Sequence, residues 1–207
     1  MGVIKRDAVP VRDFLGGLFI ALGGMLWLLA ACLQLWDPIL LSGFIVSMAS
    51  DVLLLAGALV LALGLHGSRG VAGSSAAGKI ALIIFGAASL VIDIENSIGA
   101  SLPFQPGAFS IALVINQGSV VVFAVAAVVA AIAVVRAHEL SRPAEAAFCV
   151  AAAIYVAGVL LSLFGSIAIE QAIIALRVQV IALPAAMVLF GLATLFQSKR
   201  KYAERGQ

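Results

Sequence analysis

Six apolar stretches, each close to the ~20 residues that cross a hydrocarbon core, constrain this chain more than any other feature of it. They run approximately over residues 14–36, 39–65, 80–102, 109–135, 146–168 and 172–196. Within lipid a backbone has no water to bond, so stretches of this kind fold as helices that satisfy their own N–H and C=O groups. The composition agrees. The chain is 64% hydrophobic and 11% charged, whereas soluble domains run nearer half and a quarter.

Connectors divide the stretches. Asp37 and Pro38 form a turn signal after the first, and "HGSRGVAGSSAAGK" between the second and third has the Gly/Ser-rich composition of a flexible loop. "PFQPGA" is a Pro/Gly turn, "RAHELSRPAE" a polar connector, and the join near Glu170 is short. The expected fold is an all-α integral membrane protein, a compact bundle of six transmembrane helices arranged as three sequential hairpins. Residues 1–13 would form a cytoplasmic N-terminal segment, 14–196 the membrane domain, and 197–207 a basic cytoplasmic tail.

Charge placement orients the threading. Of the 12 Lys and Arg, 11 fall on one side of a six-span path: Lys5, Arg6 and Arg12; Arg69 and Lys79; Arg136 and Arg142; and Lys199, Arg200, Lys201 and Arg205. Positive loops stay in the cytoplasm, so both termini are expected inside a plasma membrane of the bacterial inner-membrane type. A rival reading of the N-terminus exists, because a basic leader, an apolar run and "LAAC" at Leu29 to Cys32 have the form of a lipoprotein signal. Against it, the apolar run continues through "LQLW" instead of becoming a polar tether.

Motifs for chemistry are thin. Cys32 and Cys149 fall near opposite ends of their helices, beyond disulfide reach, and His66 and His138 stand apart from each other and from either cysteine. "GSSAAGKI" (Gly73 to Ile80) follows the P-loop pattern until its last position, where Ile80 replaces the hydroxyl residue that binds magnesium. "HELSR" lacks the second histidine of HExxH. No cofactor, metal or nucleic acid is therefore expected, and an enzyme is not. The bilayer is the expected partner, with a second copy of the chain or a partner membrane subunit left open.

The stretch that does not fit is "SLVIDIENSIGA", residues 89–100, which places Asp93, Glu95 and Asn96 inside the third span. Antiparallel threading brings Asp51 near mid-depth and Asn116, Gln117, Arg177 and Gln179 into the same outer layer. Charged groups cost about 2.5–3.5 kcal/mol each at mid-helix, so Asp51, Asp93, Glu95 and Arg177 facing lipid would sum to roughly 10 kcal/mol. They should turn inward. Asp93 and Asn96 share a helical face while Glu95 points away from Asp93, so this helix offers polar groups in two directions. Arg177, the one cation at this depth, is expected to pair with Asp93, Glu95 or Asp51, the first two favoured by depth, and Asp51 otherwise to bond Ser47 or Ser50 or a group on the third helix.

Pro184 cannot donate to the Val180 carbonyl, which makes it a hinge candidate. Small-residue runs such as "GGLFIALGG" (Gly16 to Gly24) permit close helix contacts. Two function classes follow. One is a small transporter or channel-like protein for protons, cations or a small polar solute, using Asp51, Asp93, Glu95, Asn96, Asn116, Gln117, Arg177 and Gln179. The alternative is a non-enzymatic accessory or assembly subunit, in which the same residues only hold helices together.

Overall fold

The computed structural model of the chain describes residues 4–36, 41–65, 69–101, 106–164 and 169–203. It is all-helical: α1 Ile4–Trp36, α2 Leu41–Leu63, α3 Ala76–Ser101, α4 Pro106–Ala137, α5 Arg142–Phe164 and α6 Ile169–Ala203. Each helix holds a segment of 20 residues or more that is long and apolar enough to cross a membrane. The join near Glu170, the least distinct in the sequence, separates α5 from α6.

Neighbours in sequence pack side by side, and α1 closes against α6, so the six helices form a ring. Small residues set how tightly the ring closes at α1. The doublets Gly16–Gly17 and Gly23–Gly24 lie seven residues apart, two helical turns, and so repeat on the same faces. Gly16 and Gly23 meet Leu61 and Leu54 of α2, whereas Gly17 and Gly24 meet Gly191 and Val188 of α6. A Cβ on Gly191 would lie 2.4 Å from the backbone nitrogen of Ala21. Backbones this close leave no room for a side chain on either partner, as expected for membrane helices.

Aromatic rings fill the middle of the ring of helices. Phe148 of α5 meets Phe85 of α3 edge-on at 5.9 Å between centroids and Phe190 of α6 at 5.1 Å. All three are buried, and such offset and edge-to-face pairs add about 0.5–1.5 kcal/mol each beyond area burial.

Two connectors differ from their sequence reading. The Gly/Ser-rich segment after α2 is folded back, not a flexible loop, over its described part: Val71 is fully buried and its N–H donates to the Leu61 carbonyl at 2.7 Å. Gly70 makes this fit, because a Cβ there would collide with the Ala62 carbonyl oxygen at 1.8 Å. Ser75 then caps α3, accepting the Gly78 N–H at 3.0 Å. The α4–α5 connector shrinks to His138–Ser141, with His138 in the left-handed conformation that ends helices (φ 51°).

Helices α1 and α6 also outrun their apolar stretches, from Ile4 and to Ala203. Parts of the segments read as N-terminal and C-terminal extensions are thus helical. Their inward-facing polar groups find partners, described below, which holds these turns in register.

Candidate functional site

Helix α2 carries Ser47, Asp51 and Leu54 at spacings of four and three, so all three face one way. They border a cavity of about 300 Å³ in the half of the bundle away from the termini. That volume is at the small end of the range for ligand sites. Every helix contributes to the wall, including Trp27 of α1, Phe85, Ser89 and Asp93 of α3, Val120 of α4, Tyr155 and Ser162 of α5, and Leu183 and Met187 of α6. Most of this lining is apolar.

Asp51 is 1% exposed, and among the described residues neither of its carboxylate oxygens has a hydrogen-bond partner. The two serines of its own helix are engaged elsewhere, which leaves the third helix as the source of its neighbours among those expected. Ser47 donates to Asp93 Oδ2 at 2.6 Å, and Ser50 donates to the Gly23 carbonyl at 2.9 Å. The reason is the close approach of α1 at Gly23, which brings its backbone within reach of Ser50. Ser89 and Asp93 of α3 approach the Asp51 carboxyl closely enough to interact with it, although neither reaches it with full hydrogen-bond geometry. A second polar group lacks a partner at this cavity: the hydroxyl of Tyr155, a 7% exposed residue whose ring stands edge-on to Phe85 at 5.6 Å. Buried polar atoms without partners cost about 1–3 kcal/mol each, and an uncompensated charge costs more. The arrangement can therefore do one simple thing: hold a proton or a cation at the Asp51 carboxyl.

The remaining sequence candidates divide. Asp93 and Glu95 do point in two directions, as their spacing requires. Asp93 faces α2, and Glu95 accepts from Ser119 Oγ of α4 at 2.6 Å, leaving its other oxygen unpartnered. Asn116 is half-buried and Gln117 exposed, and neither borders the cavity. The single eight-residue layer expected from depth thus resolves into a cavity pair, Asp51 with Asp93, and a separate α3–α4 contact at Glu95. The rotation of α4 keeps Asn116 and Gln117 off the cavity wall. The side chains of Asn96, Arg177 and Gln179 lie outside the described residues, and so does the expected pairing with Arg177. Pro184 is buried within an unbroken α6, between Val180 and Leu183 on one side and Met187 on the other, all three of which border the cavity.

A polar cluster that the sequence reading missed lies at the other end. Arg12 and Asp13, adjacent in α1, are both 0% exposed. Arg12 Nε donates to Asp13 Oδ1 at 2.8 Å, and its Nη1 donates to the Arg69 carbonyl in the α2–α3 loop. Lys201 Nζ and Gln197 Nε2 of α6 donate to Asp13 Oδ2 at 2.7 and 3.2 Å. Gln197 also accepts from the Ser141 N–H and donates to the Glu139 carbonyl. The signal was present in sequence: Thr194, Gln197, Ser198 and Lys201 form an i, i+3, i+4, i+7 polar stripe on α6. Arg12 had been read only as a marker of membrane side.

The stretch Gly73 to Ile80 is the end of the folded-back loop and the first turn of α3, and it follows a helix where a P-loop follows a strand. Both cysteines are free. Among the described residues no three of His, Cys, Asp and Glu converge in a way that would hold a metal. Comparison with protein-family models, with curated proteins and with solved structures finds no match.

Proposed function

We propose that this chain is a small transporter that moves protons or cations across a plasma membrane by way of Asp51. The observation that carries the reading is the carboxyl of Asp51, buried at 1% exposure, without a hydrogen-bond partner among the described residues and bordering a cavity reached by all six helices. Glu95, which joins α3 to α4, has a donor in Ser119 for one of its oxygens, whereas Asp51 has one for neither among the described residues. An intramembrane acid of this kind is by default a hypothesis of function.

In this reading the termini lie in the cytoplasm, following the positive residues, and the cavity occupies the outer half of the membrane. Asp51 takes up and releases the charge. Asp93, held by Ser47, biases the cavity toward positive ions. Pro184 frees the Val180 carbonyl from its helical bond and is the hinge about which α6 would open and close the cavity wall.

The test is flux in proteoliposomes containing the full chain. An imposed membrane potential should drive cation entry or acidification, reported by a trapped dye, and Asp51→Asn should abolish it while eluting as the same monodisperse species. Flux that survives Asp51→Asn overturns the proposal. A variant that loses its fold along with its flux would make Asp51 a packing residue, and a second protein held at fixed stoichiometry in native mass spectra would favour an assembly subunit.

A further inference from the structure

We infer that the cavity binds a lipophilic organic cation, an amine or quaternary ammonium with a compact apolar body, whose charge displaces a proton at Asp51. The inference rests on the transport reading for its biological use, but it derives from the cavity's own chemistry.

Four candidate occupants can be compared. A bare proton needs a carboxyl but no cavity of about 300 Å³. Hard metal cations keep six or more oxygen ligands, waters included. A mostly apolar wall with two carboxylates and a few hydroxyls, one of them already donating to Asp93, suits such a hydrated ion less well than a cation with an apolar body. A neutral apolar molecule would suit most of the wall, yet would leave Asp51 and the Tyr155 hydroxyl unpartnered as they are now. A cation with an apolar body answers both properties together. Its charge meets Asp51, with Asp93 adding to the negative potential. Its body lies against Trp27, Phe85 and Tyr155, which all border the cavity. Aromatic faces attract cations by about 0.5–2 kcal/mol, more where water is excluded, and this is the way quaternary ammonium groups are recognised. The edge-on packing of Tyr155 on Phe85 fixes these rings before any ligand arrives, so little ordering is required on binding.

Proton and ligand then compete for one carboxyl. The carboxyl releases its proton to solvent as the ammonium enters, and the cavity keeps the same net charge in both states. Competition of this kind couples uptake of one to release of the other.

Benzyltrimethylammonium and its neutral isostere neopentylbenzene differ only in N⁺ against C, which isolates the charge. Both would be titrated into the full chain in nanodiscs by calorimetry, with empty nanodiscs as the blank and buffers of different ionisation enthalpy to count protons. The expected result is saturable one-to-one binding of the ammonium with release of a proton, and binding of the isostere weaker by roughly tenfold or more. Asp51→Asn should weaken the ammonium by a similar factor, and Trp27→Leu by roughly 2- to 30-fold. Equal binding of ammonium and isostere makes the cavity a plain apolar pocket and overturns the inference, and that comparison is made on the unmodified protein. No ammonium binding alongside Asp51-dependent proton flux overturns the substrate class and leaves transport standing. Ammonium binding without flux in proteoliposomes does the reverse.

Discussion

Removing Asp13 should damage this protein more than removing any other single side chain in the polar cluster at the termini. Asp13 is 0% exposed and accepts from Arg12, Lys201 and Gln197. Asp13→Ala leaves the Arg12 guanidinium, also 0% exposed, with the Arg69 carbonyl as its described partner. Breaking a buried pair from one side costs about 3–5 kcal/mol, because the charge left behind is uncompensated. Arg12→Met is milder, since Asp13 Oδ2 keeps Lys201 and Gln197. Lys201→Met is milder still: its side chain is 30% exposed, and pairs open to water contribute about 0.2–1 kcal/mol. The double variant Arg12→Met, Asp13→Leu removes both charges together and should be more stable than Asp13→Ala alone, because matched apolar replacements of buried pairs are near neutral. Steric trapping of unfolding in bicelles would measure all four. An Asp13→Ala cost below about 1 kcal/mol, or a double variant worse than the single, refutes the reasoning.

Three further outcomes follow from the packing. Gly191→Ala should cost about 1–3 kcal/mol or more in the same assay, since its Cβ meets backbone atoms of Ala21 and Gly17 that cannot give way, whereas Gly118→Ala, with nothing within 4 Å, should be neutral or mildly stabilising. Ser119→Ala should destabilise by about 1–3 kcal/mol by taking from Glu95 the donor it has, and Ser119→Thr should restore most of the loss. Asp51→Leu should raise the thermal midpoint while abolishing flux, because it replaces an unpartnered buried carboxyl with an apolar group; a lowered midpoint would count against a functional role.

What the sequence made legible was periodic. Six apolar runs of membrane length became six helices, and the seven-residue repeat of glycine doublets became the contacts of α1 with α2 and α6. The opposed directions of Asp93 and Glu95 followed from helical geometry alone. What stayed hidden depends on register between helices. No local pattern says that Ser50, next to Asp51 in the chain, lies under Gly23 and donates to its carbonyl instead. Nor does the composition of a Gly/Ser-rich connector reveal that Gly70 fits against Ala62 and buries Val71. Depth along a span can be counted from sequence; rotation about the helix axis of α4, which separates Asn116 and Gln117 from the cavity, is set by neighbours.

The two polar regions of the bundle obey opposite rules, and the contrast separates structure from function. Near the termini, both carboxylate oxygens of Asp13 are met by donors, which tie the start of α1, the α2–α3 loop and the end of α6 together. Such a satisfied network fixes geometry because every donor has one place to go. Around the cavity the chain had the means to do the same for Asp51, with Ser47 and Ser50 one helical turn and one residue away. Both hydroxyls are spent on other acceptors, and Asp51 and Tyr155 border the cavity with no hydrogen-bond partner among the described residues. Unmet polar atoms at roughly 1–3 kcal/mol each are a standing loss in stability, and a sequence free to choose leucine at position 51 would avoid it. Under the transport proposal, that loss is recovered when a cation from outside enters the cavity and meets the Asp51 carboxyl.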